Sequence, residues 1–111
     1  MKTVFSGLKP TGDMTIGNYV GAMKGWPKLQ GEGVRSIFFV PNSHALTVRQ
    51  NPEDIFRRTL DLAAWLLAVG IDPNKSIILI QSMVPAHSEL LWILDNYVTM
   101  GELNRMTQFK D

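Results

Sequence analysis

Residues 3–18, Thr3-Val4-Phe5-Ser6-Gly7-Leu8-Lys9-Pro10-Thr11-Gly12-Asp13-Met14-Thr15-Ile16-Gly17-Asn18, decide the fold. A short apolar run opens them, a loop broken by Gly7, Pro10 and Gly12 follows, and a helical pattern starts near Gly17. The same order recurs twice. Ser36-Ile37-Phe38-Phe39-Val40 and Ser76-Ile77-Ile78-Leu79-Ile80 do not alternate and are rich in β-branched or aromatic residues, as expected of strands covered on both faces of a parallel sheet. With Thr3-Val4-Phe5 as the first strand, the chain reads βαβαβα. Right-handed crossovers then make it the first half of an open, doubly wound α/β sheet whose ligand site lies beyond the carboxyl ends of the strands. Three loops should converge there: Ser6 to Ile16, Pro41 to Asn51, and Gln81 to Ala86.

The middle helix has the clearest ends. Asn51 suits the N-cap, Pro52 the first helical position, Glu53 and Asp54 the helix dipole, and Gly70 the stop, which predicts a helix from Asn51 to Gly70. A further helix is expected from about Ala86 to Met100, where Leu90, Leu91, Ile93, Leu94, Tyr97 and Val98 crowd one face before Gly101. A short helical turn is expected through Glu102-Leu103-Asn104-Arg105. The first helix is weaker, because Gly21, Gly25 and Pro27 lower helix propensity and Pro27 should end or kink it.

The 111 residues carry 11 Lys and Arg against 10 Asp and Glu, a net charge of +1. That is too little to hold a polyanion by bulk charge, so any nucleic-acid contact must be local, with Arg49 and Arg105 as weak candidates. Cys is absent, which excludes disulfides, thiolate zinc sites and a cysteine nucleophile. His44 and His87 lack metal-ligand spacing, so no protein-bound structural metal is expected. The longest apolar stretch, Leu62 to Ile71, falls short of the roughly 20 residues a bilayer span needs, and no secretory signal opens the chain. A soluble, cytoplasmic protein with no membrane partner is the expectation.

The first loop carries the strongest functional signal. Its glycines permit close backbone approach, and the helix that follows presents unpaired N–H groups suited to a phosphate. Thr15 and Asn18, three apart, can face one ligand across the first turn, with Gly17 keeping the surface between them bare. Neither a Walker A loop nor G-x-G-x-x-G is present. Taken alone, the loop also fits an ordinary strand-to-helix turn with Thr15 as its cap. His44, just past the second strand, is placed either to stack on a ring in the crevice or to hydrogen-bond its own loop. His87 reads as structural. Trp65 and Trp92, inside apolar helical runs, read as core, and Arg57-Arg58 as solvated.

Pro10-Thr11-Gly12, Thr15-Ile16-Gly17-Asn18-Tyr19 and Gly21-Ala22 together resemble the HIGH-region signature of class I aminoacyl-tRNA synthetases, in the form of the bacterial tryptophanyl branch, where Thr and Asn replace the two histidines. The resemblance continues through Ser43-His44-Ala45-Leu46-Thr47-Val48-Arg49-Gln50, Gly70-Ile71-Asp72-Pro73, Gln81-Ser82 and Val84-Pro85-Ala86-His87 to the run from Gly101 to Lys110. It spans the chain and implies a Rossmann-like fold of HUP type.

The implied activity is that of a tryptophan–tRNA ligase. The carboxylate of L-tryptophan attacks the α-phosphorus of ATP, pyrophosphate leaves with Mg²⁺, and the adenylate then esterifies tRNA(Trp). By this resemblance Lys9, Pro10, Thr11, Gly17 and Asn18 contact ATP, Thr15 sits at the phosphates, and Phe5, Gly7 and His44 border the tryptophan. Thr15 and Asn18 are the candidate catalytic pair. The related enzymes are homodimers that pair through the Leu90–Leu94 region. Residues 1–111 correspond to the N-terminal part of the catalytic domain. The helix whose acidic side chain reads the indole N–H, the KMSKS-type lysines and the anticodon-binding domain are not among them, so weak activity or none is expected of the chain alone.

Two positions depart from the pattern. Lys9 stands where relatives often have Gln, and Pro41-Asn42 where many have an apolar residue followed by Asp. Two alternatives stay open: a tyrosyl-tRNA synthetase or other class I nucleotidyltransferase, and a non-catalytic nucleotide-binding or interaction module.

Overall fold

The computed structural model describes residues 1–109. Strand β1 (Lys2–Gly7) leads through the first loop into helix α1 (Ile16–Gly21) and a 3₁₀ helix (Met23–Leu29). Then come β2 (Val34–Val40), α2 (Asn42–Ala45), α3 (Pro52–Ala68), β3 (Ser76–Ile80), a 3₁₀ turn (Gln81–Met83), α4 (Pro85–Asp95), α5 (Met100–Leu103) and a last 3₁₀ turn (Thr107–Phe109). The sheet is parallel, in the order β1-β2-β3. This is the Rossmann-like alternation the sequence predicts.

Register sets which side chains share a face. Val4, Ser36 and Ser76 align, as do Phe5, Ile37 and Ile77 on the opposite face. On the first face Phe38 and Val40 pack under Met23 and Trp26 of the 3₁₀ helix and Leu62 and Leu66 of α3, closed by Ile71. The Trp26 and Phe38 rings lie 5.3 Å apart. Full burial of an apolar side chain such as Phe38 or Leu66 contributes about 1.5–3 kcal/mol. Ser36 and Ser76, buried on the same face, hydrogen-bond to each other at 2.7 Å.

The second face is not covered as the apolar strands predict. Phe5 and Ile77 are exposed, and Ile37, Phe39 and Leu79 are half-buried. Strands built for two covered faces here have one.

Helix α3 begins and ends where its sequence dictates. The Asn51 side chain accepts from the Glu53 N–H at 2.9 Å, Pro52 opens the helix, and Gly70 leaves it at φ +100°. Pro27 does not stop the first helical segment. It lies inside the 3₁₀ helix, which replaces the α-helix after Gly21. The helix expected from Ala86 to Met100 ends at Asp95, and a turn separates it from α5.

Gln30 ties the layers together. Its carboxamide oxygen accepts from the Asp72 N–H at 2.7 Å and the Ser76 hydroxyl at 2.8 Å, and its NH₂ group donates to the Gly70 carbonyl at 2.9 Å. One side chain thus fixes the end of α3 to the start of β3.

Two tryptophans expected in the core are outside it. Trp92 is 72% exposed and Trp65 is 42% exposed, whereas Trp26 is buried. Helix α4 buries none of its residues, and Leu90 to Leu94 form an exposed apolar surface. No helix among the described residues is long and apolar enough to cross a membrane.

Candidate functional site

The first loop ends in a reciprocal cap. The Asn18 N–H donates to Thr15 Oγ1 at 3.2 Å, while Asn18 Oδ1 accepts from the Thr15 N–H at 3.0 Å and from the Thr15 hydroxyl at 2.7 Å. Because a backbone N–H can only donate, the oxygen of the Asn18 carboxamide must face Thr15, and its NH₂ group must point away. Among the described residues nothing accepts from that NH₂, and the N–H groups of Ile16 and Gly17 have no acceptor either. A Cβ at Gly17 would meet only Thr15 Oγ1, at 3.6 Å. The tip of the loop therefore presents donors to open space.

The same device is used again in the chain. Thr99-Met100-Gly101-Glu102 repeats the spacing of Thr15-Ile16-Gly17-Asn18. The Glu102 carboxylate accepts from the Thr99 N–H and hydroxyl, each at 2.9 Å. Those two bonds hold its pKa below the ordinary glutamate range, with burial acting weakly the other way. A carboxylate thus serves this cap well and also suits a helix N-terminus. The neutral amide at Asn18 keeps the capping acceptor but adds a donor and omits the negative charge. That choice fits an anion beside α1, and it is a signal the two capping sequences carry when compared.

Lys9, Pro10, Thr11 and Asn18 line a pocket of about 630 Å³ between the first loop and α3, whose other walls include Asp13, Met14, Arg57, Arg58, Asp61 and Trp65. Pro10 is buried, Lys9 is exposed, and the Thr11 N–H donates to the Lys9 carbonyl at 2.9 Å. Thr15 borders a smaller neighbouring hollow with Tyr19 and Trp65, and Gly17 lines neither. Arg57 is exposed, as expected of a solvated residue, whereas Arg58 is half-buried; both stand near Asp13 of the loop, at 3.8 and 3.6 Å.

Phe5, Gly7 and His44 do not line that pocket; Phe5 and Gly7 meet at Phe39, and His44 stands apart at the end of β2. The Phe5 ring stacks on Phe39 at 4.4 Å. A Cβ at Gly7 would collide with the Phe39 carbonyl oxygen and stand 2.7 Å from its ring, so glycine is required there by close approach. Phe39 is the aromatic that sequence reasoning passed over. Its place beside Gly7 follows from the strand register.

His44 lies in α2, exposed at its side chain and held by its backbone. Its N–H donates to Gln81 Oε1 at 3.0 Å. Beside it, Asn42 donates from Nδ2 to Ser82 Oγ at 2.8 Å and accepts from the Ser82 N–H at 3.0 Å. The departure at Asn42 thus supplies a two-way clamp between the second and third loops. Those two loops meet, while the ion pairs of the first loop run to α3. Convergence of all three is shown for two.

Among the described residues no group of three or more His, Cys, Asp or Glu is placed to hold a metal ion. Lys110, the end of the Gly101 run, lies outside the described residues.

The comparisons with known proteins bear on the family and the fold. The chain is 52% identical over 110 residues to the tryptophan–tRNA ligase of Clostridium tetani and 54% identical to that of Clostridium perfringens, covering 99% of this chain. It spans about a third of the length of these relatives, 32% and 33%. Its fold superposes on the tryptophanyl-tRNA synthetase of Campylobacter jejuni with a TM-score of 0.87 at 42% identity, covering 99% of this chain and 34% of that one. The structure of the Campylobacter jejuni enzyme complexed with ADP and tryptophan gives a TM-score of 0.83 at 42% identity, covering 95% and 32%. The family model described as tRNA synthetases class I (W and Y) matches residues 1–111, and the chain belongs to that family.

Proposed function

We propose that this chain is the N-terminal part of the nucleotide-binding catalytic domain of a tryptophan–tRNA ligase, carrying its ATP loop and part of its tryptophan pocket. The observation that carries the reading is the orientation of Asn18, which caps α1 with its oxygen and offers its NH₂ group outward beside the unpaired N–H groups of Ile16 and Gly17. It is supported by the related Campylobacter structure, which binds ADP and tryptophan.

In this reading Lys9, Pro10, Thr11, Gly17 and Asn18 contact ATP, and Thr15 orients Asn18 at the phosphates. A carboxylate oxygen of L-tryptophan attacks the α-phosphorus, the bond to the bridging oxygen breaks, and pyrophosphate departs. A terminal hydroxyl of tRNA(Trp) then attacks the acyl carbon and releases AMP. No protein nucleophile is needed. Negative charge that builds on the α-phosphoryl oxygens meets fixed neutral donors, which lowers the barrier without reorganisation at the moment of reaction. Mg²⁺ carried on the phosphates of ATP would supply countercharge to the departing pyrophosphate. Lys9 adds a positive charge at the mouth of the loop. Phe5 and Phe39 give an apolar floor and His44 an edge for the indole ring. In the homodimer of this reading, pairing covers the Leu90–Leu94 face of α4.

Equilibrium binding of ATP with Mg²⁺, and of L-tryptophan and L-tyrosine in its presence, tests the reading. It expects tryptophan to be preferred. Preference for tyrosine overturns the amino-acid assignment, and ATP binding insensitive to either amino acid points to a non-catalytic nucleotide module.

A further inference from the structure

The first loop is held against α3 by a charge contact that the cap and the pocket floor do not explain. Asp13, two residues before Thr15, places Oδ1 3.6 Å from Arg58 Nε and 3.8 Å from Arg57 Nη2. Arg57 has other partners on its own helix, Asp61 at 3.2 Å and Asp54 at 3.8 Å. Arg58 has none: among the described residues Asp13 is its one anion within 4 Å. Its Nε is shielded from water and makes no hydrogen bond. A shielded guanidinium N–H without an acceptor is unfavourable, and 3.6 Å is too long for a hydrogen bond. The Asp13 carboxylate, itself 80% exposed, is the anion that stands nearest this shielded N–H. The loop is anchored on both sides of this point, since Leu8 and Met14 pack on the core. Asp13 lies in the short span that joins the Lys9–Thr11 wall to the Thr15–Asn18 cap, between those two anchors.

We propose that Asp13 and Arg58 are positioning residues, a latch that sets how the first loop stands over α3 and so where Lys9, Thr11 and Asn18 meet the nucleotide. The latch rests on the reading of this loop as the ATP loop. It touches no reacting atom. Its expected effect falls on ATP affinity and leaves tryptophan affinity alone, because Phe5, Gly7 and His44 do not line the pocket beside the latch.

The test is a double-mutant cycle on the whole chain, with Asp13→Asn, Arg58→Gln and both together. Two readouts are taken: hydrogen exchange of the Thr11 amide without ligand, and binding of ATP with Mg²⁺. Each single change should speed Thr11 exchange roughly two- to five-fold, the range of an exposed ion pair, and the double change no further. ATP affinity should fall in parallel. The charge-swapped pair, Asp13→Arg with Arg58→Asp, should recover both where either swap alone does not, which separates a latch from a folding defect. Unchanged or simply additive exchange in a chain that binds ATP overturns the latch while the nucleotide reading stands. Coupled exchange in a chain that binds no ATP overturns the nucleotide reading and with it the positioning role.

Discussion

Asn18 accepts twice from Thr15, from the backbone N–H at 3.0 Å and from the hydroxyl at 2.7 Å, so the cap of α1 and the outward donor are two halves of one carboxamide. The bland and the functional readings of this loop are therefore not alternatives. The cap orients the group that the ligand would meet.

Thr15→Ala removes the side chain that accepts from the Asn18 N–H and donates to Asn18 Oδ1. A lost N-cap of this kind costs about 0.5–2 kcal/mol. Thr15→Ser, which keeps the hydroxyl, should stay close to the parent. Urea midpoints at constant m-value check both.

Gly7→Ala should be costly for so small a change. Its methyl would collide with the Phe39 carbonyl oxygen, which is backbone and cannot swing away. Separation of β1 from β2 at that point should cost about 1–3 kcal/mol, as other overpacked sites do. The same urea series, with amide exchange along β1, gives the answer.

Gln30→Leu leaves the Asp72 N–H, the Ser76 hydroxyl and the Gly70 carbonyl without the partner they share. An expected loss of about 2–3 kcal/mol follows from orphaning partly buried polar groups. Thermal unfolding measures it, and a loss within the scatter of surface substitutions would show that water replaces the clamp.

Acid should loosen α5. The Thr99 N–H and hydroxyl hold the Glu102 pKa below its unfolded value. A lowered folded-state pKa contributes stability that is present above the unfolded pKa and is lost as pH falls through the folded one. The Thr99–Glu102 cap should hold at neutral pH and fade below the ordinary glutamate range. An NMR titration of the Glu102 side chain, with amide exchange at Glu102, follows both events. Glu102→Gln should flatten the dependence.

The strands were legible because apolar runs of β-branched and aromatic residues bounded by turns leave little choice, as in Ser36 to Val40 and Ser76 to Ile80. Helix α3 was legible because Asn51, Pro52 and Gly70 each act on their own few residues. Gln30 was not, since three of its four side-chain partners lie 40 to 46 residues away and no local pattern marks a glutamine that serves them. The pairing of Asp13 with Arg58 was hidden for the same reason. Trp92 misled because an apolar helical face reads the same whether or not anything packs on it. At the site, Thr15 and Asn18 were readable from spacing. The direction of the Asn18 amide needed the bond to the Thr15 N–H.

Asn18→Asp tests the central claim most directly. Aspartate keeps the oxygen that accepts from Thr15, as Glu102 does at Thr99, but replaces the outward donor with a negative charge. Calorimetry of ATP with Mg²⁺ should show saturable binding by the parent chain. The variant should fold as stably, within about 0.5 kcal/mol, yet bind ATP at least roughly ten-fold more weakly, the loss expected of a hydrogen bond to a charged group. Equal affinity in parent and variant, or no binding by a folded parent chain, would contradict the assignment of this loop to ATP.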